Sequence, residues 1–576
     1  MNLGYFSAGD SPFFFQEQLQ QLSWMPKIWD GTNGFGKSVL VQLWIDYPIR
    51  LFIKLFATLG FDWWAIDKIL WLLTFFLALI SIYRLTSYLS MSFWQRGISL
   101  IIYLSNTYAL MLIDGGQRGV LLAYAFAPMF IYYYLRLIDT YTEWIRSIRE
   151  IVRTIALISI LLGIFIAFDL RIAYLGIIAA GIYFLIRCYI NKTSIKEIVQ
   201  LVLLLFIFPL IGASLLHAFW ILPLIGAGSS VSLGEEYTSA GMLKFLSVAD
   251  FSHAISLLHP NWPENLFGKV YFLQPEFLIL PILAFSSLVS QEKKEKISSP
   301  SSLHMFYFAI VSLVGAFFSK GVQEPFGIVF SWMFDHIPGF VMFRDPTKFY
   351  WYIALGFSIL IPLALKNISI FVANKYKNMF VVSIFIVFWM ILLRPVFLGK
   401  LSGNFKPKNI SSEYIQLKNT LVQDTTASRV LWLPTYESFH FASDIHPVLT
   451  GEQLFKTSSI SGLLSKISSP EFHETLDVSG IKYIVIPIDV WERIYLNEYK
   501  YDSSQPIRLV NALGSLGYVP LSGYTSLHVF INHTFHFNAI VPDYIVKQEY
   551  FMNIGLLISV VFCALYTFVL LLYRKK

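Results

Sequence analysis

Cysteine, charge and familiar catalytic signatures are all scarce in this chain. Only two cysteines occur in 576 residues, Cys188 and Cys563. Both sit in or beside apolar runs, so no disulfide framework is available and the redox compartment cannot be read from them. Charged residues make up 14% of the sequence, well short of the roughly one quarter with which soluble domains cover their surface. There is no His-Glu-x-x-His and no Gly-x-Ser-x-Gly. What fills the space instead is apolar: 56% hydrophobic and 17% aromatic residues, with a mean hydropathy of +0.61. Lipid must solvate much of such a chain.

Runs long enough to cross a bilayer, roughly 17–25 residues each, fall near 65–84, 97–113, 119–138, 150–168, 171–190, 198–226, 276–291, 304–320, 347–366, 378–399 and 550–573. The expected fold is therefore a polytopic α-helical membrane protein of about eleven spans. Pro209 and Pro223 lie inside the long 198–226 run, which should be kinked or broken. Lys and Arg collect in alternate loops: Arg84 and Arg96; Arg136, Arg146, Arg149 and Arg153; Arg187, Lys192 and Lys196; Lys293, Lys294 and Lys296; Lys366, Lys375 and Lys377; Arg574, Lys575 and Lys576. By the positive-inside rule these loops and the C-terminus are cytoplasmic. The net charge of +7 is thus an orientation signal, and no nucleic-acid partner is expected.

The same rule puts residues 1–64, 114–118, 169–171, 227–275, 321–346 and 400–549 outside the cytoplasm, in a plasma-membrane protein. Residues 1–10 contain no apolar stretch of signal-peptide length. An upstream first span is expected ahead of Met1, the alternative being unaided translocation of a short tail. Four segments follow: a first extracytoplasmic loop with interfacial helices (1–64), a transmembrane core (65–399), an extracytoplasmic domain (400–549), and a last span with a cytoplasmic tail (550–576). Segment 400–549 alternates β-like runs (429–434, 481–487, 527–532) with helical ones (471–478, 506–516), the pattern of a small α/β domain. Asn409 and Asn532 head Asn-x-Ser/Thr triplets, uninformative without the host. Residues 47–60 mix apolar positions with Arg50 and Lys54 and should lie along the interface. Residues 324–343, broken by Pro325, Gly327, Pro338 and Gly339, should re-enter rather than span.

Gly31-Thr32-Asn33-Gly34-Phe35-Gly36-Lys37-Ser38 fits the P-loop pattern, but a P-loop follows a buried strand. Here the lead-in contains Pro26 and no apolar run, so a Gly-rich turn is expected. The histidines lack metal-ligand spacing: His253 and His259 are six apart, and His440, His446, His473, His528, His533 and His536 scatter. No metal is assigned. More telling are ionisable residues at one membrane face, where charge is expensive. Asp10 opens the first loop, its simplest role being the N-cap of a short helix. Asp114 and Arg118 flank a two-glycine turn. Asp169 and Arg171 share the next turn and read first as an ion pair. Arg344, Asp345 and Lys348 open the span at 347.

These features resemble a family. An outer loop opening on Asp10, a Trp/Gly-rich stretch (Trp24, Trp29, Gly31, Gly34, Gly36) and Tyr47-Pro48 before an interfacial helix are similar to GT-C membrane glycosyltransferases. The block from His336 to Phe349 (HIPGFVMFRDPTKF) and the phrase from Ser479 to Pro487 (SGIKYIVIP) are similar to the YfhO-like and AftD-like arabinofuranosyltransferase branches. The resemblance covers nearly the whole layout, except that such proteins have a span ahead of the catalytic Asp. It implies a glycosyltransferase using a polyprenyl-phosphate sugar as donor substrate, with no cofactor, and a glycan, lipid or protein acceptor in the envelope. Asp10 would be the general base of an inverting transfer. Arg344, Lys348 or Arg118 would neutralise the departing phosphate, and Asp114, Asp345, Asp169 and Arg171 are further candidates on that face. The Trp-Trp-Asp-Tyr-Gly block of oligosaccharyltransferases is absent; Phe61-Asp62-Trp63-Trp64 is not that block. A lipid-linked glycan flippase is the competing class, although no internal repeat or mid-span charge is seen. A glycan-binding scaffold is the third.

Overall fold

The computed structural model describes residues 4–141, 147–226, 239–258, 275–289, 300–370, 376–401, 403–457, 459–488, 504–538 and 541–573. Expected features at residues 227–238, 259–274 and 290–299, and the terminal basic cluster, lie outside them. The chain divides into two compact units. One comprises residues 1–68, 222–227 and 406–553; the other comprises 69–221, 228–405 and 554–576.

Among the described residues nine helices are long and apolar enough to cross a membrane, and Pro275–Val289 and Asn378–Leu392 are shorter apolar helices. These eleven positions coincide with the eleven expected spans, and the protein is an integral membrane protein. The differences have local causes. Asn106 splits the second span: its backbone is extended and its side chain accepts from Ala109 N, capping a new helix Thr107–Asp114. Pro209, which cannot donate to the helix, follows a π-helical stretch Leu203–Ile207. A π turn re-registers the ladder where a proline leaves a carbonyl unmatched. The same run then breaks at His217 before Ala218–Gly226. Gly327–His336 has only ten residues, about 15 Å at 1.5 Å per residue and half the hydrocarbon thickness.

Tyr350–Ile370 is among the most enclosed helices of the larger unit, with sixteen of its residues buried. It packs against Pro300–Ser319, Ile279–Val289 and Phe93–Ser105. Gly356 allows the closest approach, since a Cβ there would stand 1.8 Å from Ser312 Oγ. Helices in lipid gain attraction mainly by such close packing of small residues.

The smaller unit is built on a four-stranded sheet, β3 (Arg429–Trp432), β4 (Val448–Thr450), β5 (Ile481–Pro487) and β6 (Leu527–Ile531), preceded in the chain by a hairpin of β1 (Trp29–Asp30) and β2 (Lys37–Ser38). The order is β4-β3-β5-β6, with β3 parallel to both neighbours and β6 antiparallel to β5. Apolar helices cover one face around Leu431, Ile484 and Ile486. Aromatic residues including Phe15, Trp432 and Phe439 fill the other. The P-loop-like segment is the β1–β2 hairpin, docked beside β4 by Gly34 N to Val448 O at 2.7 Å and Val448 N to Thr32 O at 3.0 Å. Gly36 has φ +89°, and a Cβ there would fall 2.2 Å from the Trp29 ring, so this glycine serves a turn and not a phosphate.

Glu413, in the first turn of Ser412–Gln423, accepts from Thr525 N (2.9 Å), Ser526 N (2.9 Å) and Leu527 N (2.8 Å), and from the Thr525 and Ser526 hydroxyls. Burial alone would raise its pKa, but these donors hold it at about 2, below its ordinary 4.5. A depressed carboxylate pKa contributes stability that is complete above the unfolded value and is lost as pH falls toward the folded one. Glu413→Gln should therefore lower the unfolding free energy at pH 7 by about 1–2 kcal/mol, for a partly exposed charged acceptor, and with it the thermal midpoint. The gap to wild type should close as the pH is brought from 4.5 towards 2; a gap that persists at low pH would refute the linkage.

Candidate functional site

Three turns bring most of the expected site residues together at one end of the helices of the larger unit. Asp114 closes helix Thr107–Asp114, and Arg118 opens Arg118–Tyr141. Asp114 is 1% exposed and is covered by Gly403, where an added Cβ would lie 2.6 Å from the Asp114 Oδ1. Asn404 Nδ2 donates to Ile113 O beside it. Arg118 is buried and lies over the Trp71 ring.

Asp169 is fully buried. It caps helix Leu170–Asn191 by accepting from Arg171 N and Ile172 N, and it grips the Arg171 side chain through two bonds of 3.1 and 2.6 Å. The pair therefore closes its turn as an ion pair. In the third turn Asp345 caps the short helix Pro346–Phe349, accepting from Thr347 N at 3.0 Å and from the Thr347 hydroxyl. Lys348 Nζ reaches Asp345 Oδ2 at 2.8 Å and Gln117 Oε1 at 3.1 Å, so it joins the first turn to the third. Burial opposes ionisation of Asp345. Lys348, the Thr347 hydroxyl and the nearby Arg171 charge overcome it and hold the carboxyl well below the usual carboxylate range. Arg344 caps the turn Phe340–Phe343 on the same segment and is partly exposed. Lys348, by contrast, is 2% exposed.

Asp10 belongs to the smaller unit. It is exposed in a turn closed by Ser11 N to Ala8 O. It does not cap a helix: the first helix is Gln16–Gln21, with Phe15 as its N-cap. Tertiary packing overrides the local signal, because Phe13 and Phe15 are drawn into an aromatic cluster with Tyr5, Phe439 and Phe441. The turn is fixed to the loop after β3. Ser438 Oγ donates to Ser7 O at 2.7 Å, and Gln18 Nε2 donates to Ala442 O at 3.0 Å. That loop joins β3 to β4. His440 within it is half-buried, and the loss of solvent lowers its pKa to about 4 and keeps it neutral.

Two acidic residues were not singled out from sequence. Asp67, 1% exposed and 3.4 Å from Lys68, lies in the first turns of helix Trp63–Tyr88; a carboxylate inside an apolar run was the available signal. Asp139 stands at the other end of Arg118–Tyr141 from Arg118. Tyr88 and Tyr183 donate to it at 2.5 and 2.6 Å, and Arg187 Nε lies 3.3 Å away. Four helix ends thus meet there, with His304 at 3.7 Å. Among the described residues no group of three or more His, Cys, Asp or Glu is placed to hold a metal.

Neither a protein family nor a curated protein matches the sequence. Solved structures do match the fold. The arabinofuranosyltransferase AftD from Mycobacteria, seen by single-particle cryo-EM, aligns over 92% of this chain with a TM-score of 0.55 at 13% identity. A mutant form of the same enzyme aligns over 92% at 0.51 and 12% identity. The shared property is the fold. The chain spans about two fifths of those proteins, 38% and 40% respectively.

Lys348→Met should leave Asp345 ionised without its nearest cation. Removing one member of a buried pair costs about 3–5 kcal/mol, so a large loss of thermal stability in detergent is expected. Asp345→Asn combined with Lys348→Met should recover part of it. A double variant as unstable as the sum of the singles would show that the two do not act as a pair.

Proposed function

We propose that this protein is a membrane glycosyltransferase that moves a sugar from a polyprenyl-phosphate donor to an envelope glycan, lipid or protein acceptor on the extracytoplasmic side. The observation that carries the reading is the fold likeness to AftD over nearly the whole chain, with Asp10 exposed in a turn fixed to the loop after β3. Activated nucleotide sugars are cytoplasmic, so transfer on the far side of the membrane needs a donor that has crossed it on a lipid.

Asp10 acts as general base. The acceptor hydroxyl gives its proton to the Asp10 carboxylate while its oxygen bonds to the anomeric carbon. The bond from that carbon to the phosphate oxygen breaks, and the electron pair leaves with the polyprenyl phosphate. One displacement inverts the configuration. A cation must meet the charge that develops on the leaving group. Of the three cations assigned to that role, Arg344 is partly exposed and suits it. Lys348 is engaged by Asp345 and Gln117, and Arg118 is buried over the Trp71 ring.

Two variants test the assignment, read by a transfer assay against a panel of polyprenyl-phosphate sugars with the full chain in membranes. Asp10→Asn should reduce transfer by about a hundredfold or more, the range for a lost general base, with expression unchanged; retained activity overturns the base assignment. Arg344→Ala should weaken use of the donor more than use of the acceptor. Equal losses for both substrates would remove Arg344 from the phosphate.

A further inference from the structure

The smaller unit contains a cleft of about 190 Å³ that the transfer chemistry does not use. Its walls come from the first helix and hairpin, from the amphipathic helix Leu43–Thr58, and from Ala442 and Asp444 of the loop after β3. Three carboxylates (Asp30, Asp46, Asp444) and two cations (Lys27, Arg50) face it beside Trp29, with Tyr47 at its rim. The frame is rigid. Asp30 Oδ1 accepts from Thr32 N and Thr32 Oγ1 at 3.0 and 2.6 Å, and the Tyr47 hydroxyl donates to Trp24 O at 3.1 Å. Asp46 sits 3.9 Å from Arg50, a loose pairing that leaves hydrogen-bonding capacity on both.

Few ligands suit such walls. A nucleotide or lipid phosphate meets an excess of carboxylates. A purely apolar ligand would cover the half-buried Asp30 and Asp46 carboxylates and satisfy neither. A sugar ring satisfies both surfaces: vicinal hydroxyls donate to carboxylate oxygens and accept from a guanidinium, while the C–H face of the ring lies on an aromatic side chain. We infer that this cleft binds a neutral saccharide chain, as a docking site for the acceptor glycan. The acceptor role rests on the transferase reading, whereas saccharide binding does not require it. The anchoring loop supports the placement, since the segment that supplies Ala442 and Asp444 to the cleft also holds Ser7, three residues before Asp10, through Ser438. Partial burial raises the Asp46 pKa, with Asp30 adding to the rise and Arg50 and Lys37 opposing it.

The test is equilibrium binding to the full chain in nanodiscs without any donor, followed by calorimetry. The probes are mannohexaose, a linear arabinofuranosyl hexasaccharide and hexagalacturonate. At least one neutral hexasaccharide should bind, and hexagalacturonate should not. Asp46→Asn and Asp444→Asn, both isosteric, should each weaken binding by about tenfold, the loss of one hydrogen bond to a charged group. Trp29→Phe keeps an aromatic platform and should bind nearly as well as wild type. Absence of binding by either neutral probe, preference for hexagalacturonate, or indifference to both Asp variants overturns the inference. Binding that persists in a protein showing no transfer activity overturns the transferase reading alone. Transfer without binding overturns this proposal alone.

Discussion

Charge that sits at the ends of apolar helices has to be neutralised on the spot, and the architecture of the larger unit follows from that constraint. Asp345, Asp169, Lys348 and Arg171 would each be costly to bury alone. Placed together they offset one another, and Gln117 extends the arrangement to a third turn. The turns therefore cannot be set independently: the position of residues 344–348 is tied to that of 117 and influenced by 171. Asp139 does the same for the other ends of several of these helices, where two tyrosines and an arginine converge on one carboxylate. A bundle stapled in this way at both ends can keep its middle almost free of charge.

In the smaller unit the corresponding constraint is hydrogen bonding of exposed backbone. The edge of β4 is occupied by the β1–β2 hairpin. On the opposite side Leu521 N donates to Val529 O beside β6. Both flanks of the sheet are thus engaged, which removes the template for pairing with another chain. The amphipathic helix Leu43–Thr58 follows the hairpin and buries Leu43 and Ile53. Residues 1–68 and the sheet fall in one compact unit.

What could be read directly from the chain was what local pattern encodes. Apolar runs placed the spans, and alternation placed β3, β5 and β6 to within two residues. Pro209 foretold the irregularity of its helix. Strand β4 escaped notice because the three residues that follow Pro447, ending on the helix-capping Thr450, are too few to carry alternation. Asp10 was expected to cap a helix; its neighbours' aromatic side chains found partners near residue 440 instead, information no local window contains. The Asp139 cluster was illegible for the same reason, since Tyr88, Tyr183, Arg187 and His304 are strung along more than two hundred residues. Asp345 and Lys348 stood out as charges flanking a span, but only the fold shows that Lys348 spends its charge internally.

The hairpin at residues 29–38 completes its contacts with residues more than four hundred positions later: Asn33 with Tyr436 at a separation of 403, and with Gln453 at 420. Chains are made from the N-terminus onward, so this piece is made well before its partners. Through the insertion of nearly every span it remains an unmatched two-stranded ribbon, too small to be stable by itself. Loop-closure entropy over such a distance rises only slowly with length, so the penalty falls on time rather than on equilibrium. Contacts this remote make for slow folding and long exposure of apolar surface. Synthesis and assembly therefore run in opposite order here: the hairpin, made earlier, waits for the segments after residue 429 that hold it.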